Sequence, residues 1–405
     1  MMTGPLAGFR VLDLTSMISG PTATMVLADQ GAEVIKVERP DGGDHTRRVS
    51  TRRNGVTASF VNNNRNKRSV ALDLKDPRGV EALMAIAARS DVVVQNFRPG
   101  VVDRMGIGEA AMRAVKPDVI YVSISGFGFE GPYAQKPVYD PLIQAVSGLA
   151  TVQAGSDEAR PRLVRTIVPD KLTGHVAAQA ITAALLQRMR TGEGQHVRLS
   201  MLDAIVAFLW GSDMGGHTFV GDERASETAQ SFIDLIYETA DGYISVAVQS
   251  DKEWQALVRA FATPEWLEDP RFRTTADRQR NIDARLALTQ EVLLTDTAEA
   301  WLARLEAEGV PCAPVLTRRE MVRHPQVAAN GILAEHPHPQ AGRLRQAVPA
   351  ARFSAAPFAE PRPAPVLGAD TRAVLAEAGL APAAVEALVA EGVALAPDAK
   401  DTAAA

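Results

Sequence analysis

Through the first 200 residues, short apolar runs rich in β-branched side chains alternate with stretches whose apolar positions recur at helical spacing. FRVLDLT (9–15), EVIKVE (33–38), SVALDL (69–74), DVVVQNF (91–97) and DVIYVSIS (118–125) have the length and composition of strands buried on both faces. Between them, PTATMVLADQGA places Pro21 in the first turn of a helix, and DPRGVEALMAIAARS reads as a second helix. Strand, helix and strand at this spacing predict a mostly parallel sheet with right-handed crossovers. The longest helical pattern runs from about Lys171 to Met189. Val176, Ala180, Ala183, Ala184 and Leu185 lie near helical spacing there, and Gly192 is its stop. HVRLSM and LDAIVAFLW follow as strand and helix.

A chain of 405 residues is long for one core, so two domains are expected. The pattern divides it into a large α/β domain over 1–225, a smaller α+β domain over 226–320, and a Pro- and Ala-rich segment over 321–405 that returns to the large domain. In the smaller unit, YISVAV is a strand, and DKEWQALVRAFA, DARLALTQEVLL and TAEAWLARLEAEG are helices. The tail LAPDAKDTAAA is expected to fray.

With 46% apolar and 22% charged residues the composition is that of a globular protein. A net charge of -5 lacks the basic face that nucleic-acid binding needs. The single Cys312 excludes an intramolecular disulfide, and its apolar neighbours in GVPCAPV suit a packed side chain. The N-terminus has no basic region leading into an apolar one, and no apolar run reaches 18 residues. A soluble, cytoplasmic protein with no membrane or nucleic-acid partner is expected.

GFGFEG, Gly126 to Gly131, spells the G-x-G-x-x-G of dinucleotide-binding folds. That motif works only where the last glycine opens a helix whose N–H groups meet the pyrophosphate. Here Pro132 follows at once, Pro137 comes soon after, and no acidic residue stands about 20 positions on. A glycine loop at a strand's C-terminal end is the better reading. The seven histidines form no metal-binding spacing, so no metal is expected, and VSISGFG is not a nucleophile elbow.

Two features carry candidate chemistry. Arg39, Lys75 and Arg98 follow successive strands, with Arg104 nearby and the cluster Arg65, Lys67 and Arg68 ahead of SVALDL. Parallel strands share one C-terminal edge, so Arg39, Lys75 and Arg98 can converge on one crevice suited to a phosphorylated ligand; the alternative is solvated surface charge. Asp170, in IVPDKLTGH, opens the long helix. It serves either as a simple N-cap or as a carboxylate nucleophile kept ionised by the helix N-terminus.

SGPTATMVLADQGAEVIKVERPDGGD, NRNKRSVALDLK, NFRPGVVDRMG, SISGFGFEGPYA, the Asp170 helix and TGEGQHVRLSMLDA, in this order and spacing, resemble the family III CoA-transferases, the formyl-CoA and carnitine CoA-transferase group. The resemblance implies a large doubly wound, Rossmann-like domain built from both chain ends, a small α+β domain, and an interlocked homodimer. It implies Asp170 as the nucleophile. Arg39, Leu72 to Lys75, Asn96, Phe97, Arg98, Arg104 and Tyr139 would contact CoA, with Ile18 and Ser19 near the thioester. At Ile18 many members carry Gln or another polar residue. No tightly bound cofactor is implied; a coenzyme A thioester is the substrate.

The implied reaction moves CoA from an acyl-CoA, succinyl-CoA being the donor suggested by the family, to a carboxylic acid. It passes through an aspartyl anhydride and an aspartyl-CoA thioester. The glycine-run loop of oxalate-specific members is not visible between Gly211 and Asp241. The alternative is an α-methylacyl-CoA racemase, which in this resemblance needs a His after GPYA. Here that loop reads QKPVYDPLIQ, and Tyr139, with a reference pKa of about 10, is a poor base.

Overall fold

The computed structural model describes residues 4–228, 233–356, 358 and 360–397. Two compact units emerge, one of residues 1–230 with 332–405 and one of residues 231–331.

The first unit is organised by a seven-stranded sheet: β1 (Arg10–Asp13), β2 (Glu33–Glu38), β3 (Lys67–Leu72), β4 (Val92–Gln95), β5 (Ile120–Ser125), β6 (His196–Ser200) and β7 (Ala394–Leu395). Their spatial order is β7-β3-β2-β1-β4-β5-β6. All pairs are parallel except β7, which runs antiparallel to β3 through Ala394 opposite Leu72 and Leu395 opposite Ala71. Leu395 therefore belongs to the sheet and not to a frayed tail, because it completes the outer edge of β3. Residues 398–405 of the expected frayed segment lie outside the described residues.

Alternating side chains supply both faces of the sheet. Leu12, Ile35, Val70, Val93 and Tyr121 meet Leu83 and Ile86 of helix α2 (Pro77–Ala87), and Val374 and Leu388 from the C-terminal segment. Val11, Val34, Val92, Val94 and Val122 meet Leu27 of helix α1 (Ser19–Asp29) and Ile181 and Leu185 of the long helix Val168–Thr191. The strand order reverses direction between β1 and β4, so their C-terminal loops diverge and open a crevice at that point.

The loop from Gly126 starts no helix; the next helix is Asp140–Val146. A Cβ on Gly126 would lie 2.3 Å from a Val138 methyl, and Gly128 has φ +114°, so these glycines let the loop fold closely on itself.

In the second unit, the antiparallel strands Ile236–Glu238, Tyr243–Val246 and Cys312–Pro314 pack against helices that include Asp251–Phe261, Ile282–Leu293 and Ala298–Ala307. Trp254, Trp266, Phe272 and Trp301 fill its core.

Candidate active site

The helix Asp140–Val146, here α3, and the long helix, here α4, bring two acids together. Ile167 holds the N-cap position of α4 without a side-chain cap. Asp170 is thus inside the first turn, third after Ile167, and is not the helix cap. Its own N–H is donated to Asp140 Oδ2 at 3.2 Å. Asp140 is buried, and its Oδ1 accepts Gln144 Nε2 at 2.6 Å. Gln144 in turn accepts the Val164 N–H at 2.9 Å, which pins the segment leading into α4.

Asp170 is therefore freed from capping, and its carboxylate faces α1. The Ser19 backbone N–H and hydroxyl lie near that carboxylate and favour its ionised form. Burial pushes the Asp170 carboxyl up to about 6, the Asp140 charge adds to the rise, and the Ser19 donors oppose it. The result is a carboxylate ionised at neutral pH, poorly solvated and held in one orientation. Those are the properties of an activated oxygen nucleophile. The close approach of α1 to α4 depends on Gly174, where a Cβ would lie 2.8 Å from the Ser19 carbonyl oxygen and from Thr22 Cβ.

At the C-terminal edge of the sheet, a cleft of about 720 Å³ is lined by Leu14, Arg39, Leu72, Lys75, Phe97 and Arg104, among others. Lys75 and Arg104 make no ion pair among the described residues. By contrast Arg65 pairs with Asp29, Lys67 with Asp13, and Arg68 with Glu33 and Glu377. The basic cluster ahead of β3 is thus spent on the fold, while the cations at the strand ends remain open to a ligand.

Not every expected residue reaches the cleft. Phe97 lines the cleft, whereas Arg98 is exposed and outside its lining. Asn96 instead grips the backbone of Ser16, accepting its N–H at 3.0 Å and donating to its carbonyl at 2.8 Å. Tyr139 stands at the head of α3, 71% exposed, and Ile18 is half-buried at the N-cap of α1. Leu14 in the cleft wall and Ser19 beside Asp170 are separated by at most about 17 Å of chain, so one turn borders both features. A second cavity of about 740 Å³, lined by Met25, Asp29, Arg65, His175, Arg345 and Phe353 among others, contains none of the residues expected to bind CoA.

Asp140 and Gln144 escaped the sequence reading. The available signal was their i, i+4 spacing, which puts both on one face of a short helix. Nothing in the sequence indicated that this face meets the first turn of α4.

Comparison with known proteins identifies the family. Residues 6–371 match the model of CoA-transferase family III. The succinyl-CoA:glutarate CoA-transferase of Homo sapiens is 35% identical over 92% of this chain and 86% of that protein. The acetyl-CoA:oxalate CoA-transferase of Acetobacter aceti is 34% identical over 82% of this chain and 85% of its own length. A crystal structure of a CAIB/BAIF family protein from Brucella suis superposes with a TM-score of 0.82 at 31% identity, covering 93% of this chain and all of that one. With the match running through both the cleft and the Asp170 helix, the chain belongs to CoA-transferase family III.

Proposed function

We propose that Asp170 is the nucleophile of a CoA transfer between two small carboxylic acids, at least one of them a dicarboxylate. The observation that carries this reading is the Asp170 carboxylate itself. It is half-buried beside Asp140, has the Ser19 N–H and hydroxyl near it, and is raised to a pKa of about 6.

The steps follow from that carboxylate. An Asp170 oxygen attacks the thioester carbonyl carbon; the C–S bond breaks and CoA leaves as thiolate, giving an aspartyl–acyl anhydride. The thiolate then attacks the Asp170 carbonyl carbon and expels the donor acid, giving an aspartyl-CoA thioester. An acceptor carboxylate attacks the carbonyl carbon of that thioester; the C–S bond breaks, CoA leaves as thiolate and a new aspartyl–acyl anhydride forms. Thiolate attack on the acceptor's carbonyl carbon releases acceptor-CoA and regenerates Asp170. No net proton transfer is needed, which suits a site whose acid neighbour among the described residues is Asp140.

Arg39, Lys75 and Arg104 would bind the phosphates of CoA, with Leu72 and Phe97 as apolar walls, a reading supported by their sharing one cleft. The succinyl-CoA:glutarate relatives have names that point to a dicarboxylate. Exposed Met189, Phe208 and Trp210 suit burial against a second copy, consistent with an interlocked homodimer.

The test is a matrix of acyl-CoA donors and free acids read by mass spectrometry. Acceptor-dependent formation of a new acyl-CoA is expected, greatest with succinyl-CoA and glutarate. Asp170→Ala should abolish transfer while retaining CoA binding; wild-type turnover in that variant would refute the mechanism.

A further inference from the structure

The reaction above makes no use of the most conspicuous ionic feature of the large unit. Asp13, Lys36 and Lys67, on three neighbouring strands, have fully buried side chains, and Asp44 joins them. Charges inside a sheet are costly unless every one is paired and hydrogen-bonded. Each of these is ion-paired, and their hydrogen bonds converge on one short stretch of backbone.

Lys36 Nζ donates to the Thr15 carbonyl at 2.7 Å and lies 3.1 Å from Asp44 Oδ2. Lys67 Nζ donates to the Pro21 carbonyl at 3.0 Å, to Asp13 Oδ2 at 3.0 Å and to Asn64 Oδ1 at 2.8 Å. Asp13 accepts from the Thr15 N–H at 2.9 Å and from the Thr24 hydroxyl at 2.7 Å. Asp44 Oδ1 accepts the Met17 N–H at 3.2 Å. Asn96 holds Ser16 by both its N–H and its carbonyl. Residues 15, 16, 17 and 21 are therefore each gripped by a side chain from elsewhere in the fold. Between them Met17 sits at φ +71°, a left-handed conformation that a non-glycine residue keeps only when its surroundings enforce it.

We propose that the Asp13–Lys36–Lys67–Asp44 cluster, together with Asn96, is a positioning device for the nucleophile, holding the Thr15–Pro21 turn so that Ser19 presents both donors to the Asp170 carboxylate. None of the four charged side chains lines the cleft, so they act through the turn and not on substrate. The inference rests on Asp170 being the nucleophile. The groups facing Asp170 are Ser19 from α1 and Asp140 from α3, while Lys171 of its own helix is turned to Thr166 Oγ1 at 2.9 Å. Loosening the turn removes the two contacts that favour the ionised form and leaves the Asp140 repulsion in place, so the Asp170 carboxyl titrates higher.

The experiment compares wild type, Lys67→Met and Asn96→Ala in the full-length protein. Steady-state transfer is measured alongside a ¹³C NMR titration of the Asp170 carboxyl, which needs no turnover. Expected are a fall in kcat of about tenfold or more, a donor KM within about threefold of wild type, and an upward move of the Asp170 titration from about 6. If Lys67→Met does not fold, Asn96→Ala, which alters a half-buried residue at the edge of the turn, decides alone. Either folded variant overturns the proposal by keeping the wild-type kcat and titration, or by losing kcat with the titration unmoved, since that marks a merely structural role. Failure of the nucleophile assignment shows separately, as transfer that survives Asp170→Ala, and the titration still tests the cluster.

Discussion

Asp170→Asn should stabilise this protein while destroying its activity. Folding raises the Asp170 carboxyl from 3.8 to about 6, chiefly through burial and then through Asp140. A carboxyl raised on folding binds more protons in the folded than in the unfolded chain between those two values, so its ionisation costs stability progressively as pH rises through that window. Above about pH 6 the full cost stands. A rise of about two pH units at about 1.4 kcal/mol each sets a ceiling of about 3 kcal/mol. The partial solvent access of Asp170 and the weaker Ser19 hydrogen bonds to a neutral amide lower the expected gain to about 1–2 kcal/mol. The amide also gives Asp140 a donor in place of a like charge. Urea denaturation of wild type and Asp170→Asn, at equal protein concentration, should show a higher midpoint for the variant at pH 7.5 and convergence of the two below about pH 4. A variant less stable than wild type at pH 7.5, or a gain independent of pH, would refute the electrostatic account of the site.

Gly174→Ala places a Cβ 2.8 Å from the Ser19 carbonyl oxygen and Thr22 Cβ, so α1 must shift from α4; kcat should fall at least about tenfold with CoA affinity retained, measured by kinetics and calorimetry. Arg39→Ala, Lys75→Ala and Arg104→Ala should each raise the KM of the acyl-CoA donor by about three- to tenfold, with an effect that weakens at high salt and little change in kcat. In D₂O with a 2-methylacyl-CoA and no acceptor acid, mass spectrometry should find no α-deuteration above background, because transfer acts at the carboxyl carbon; rapid exchange lost in Asp170→Ala would instead identify a racemase.

The order of strands and helices was readable because buried parallel strands are continuous apolar runs, and helices carry a 3.6-residue period. The long helix began three residues earlier than its apolar pattern, at Val168, and that difference changes the meaning of Asp170 from cap to first-turn side chain. The third small-unit strand, Cys312–Pro314, gave no alternation to read because it is only three residues long and contains a proline.

What the sequence determined by itself was local: the strand and helix periods, the failure of GFGFEG to open a helix, and Asp170 as an acid at the head of a long helix. Tertiary structure decided which charges are available for chemistry. Arg65, Lys67 and Arg68 look no different in sequence from Arg39, Lys75 and Arg104, yet the first three are paired with acids 29, 13, 33 and 377, and the others line the cleft. It also supplied Asp140, Gln144 and the Ser19 donors, which lie 30, 26 and 151 positions from Asp170 in the chain and meet it only through the packing of α3 and α1 against α4. The physical reason is range: backbone propensity and hydrophobic period act over a few residues, whereas burial and Coulomb interaction, which set the Asp170 pKa, depend on neighbours that only the folded chain brings together.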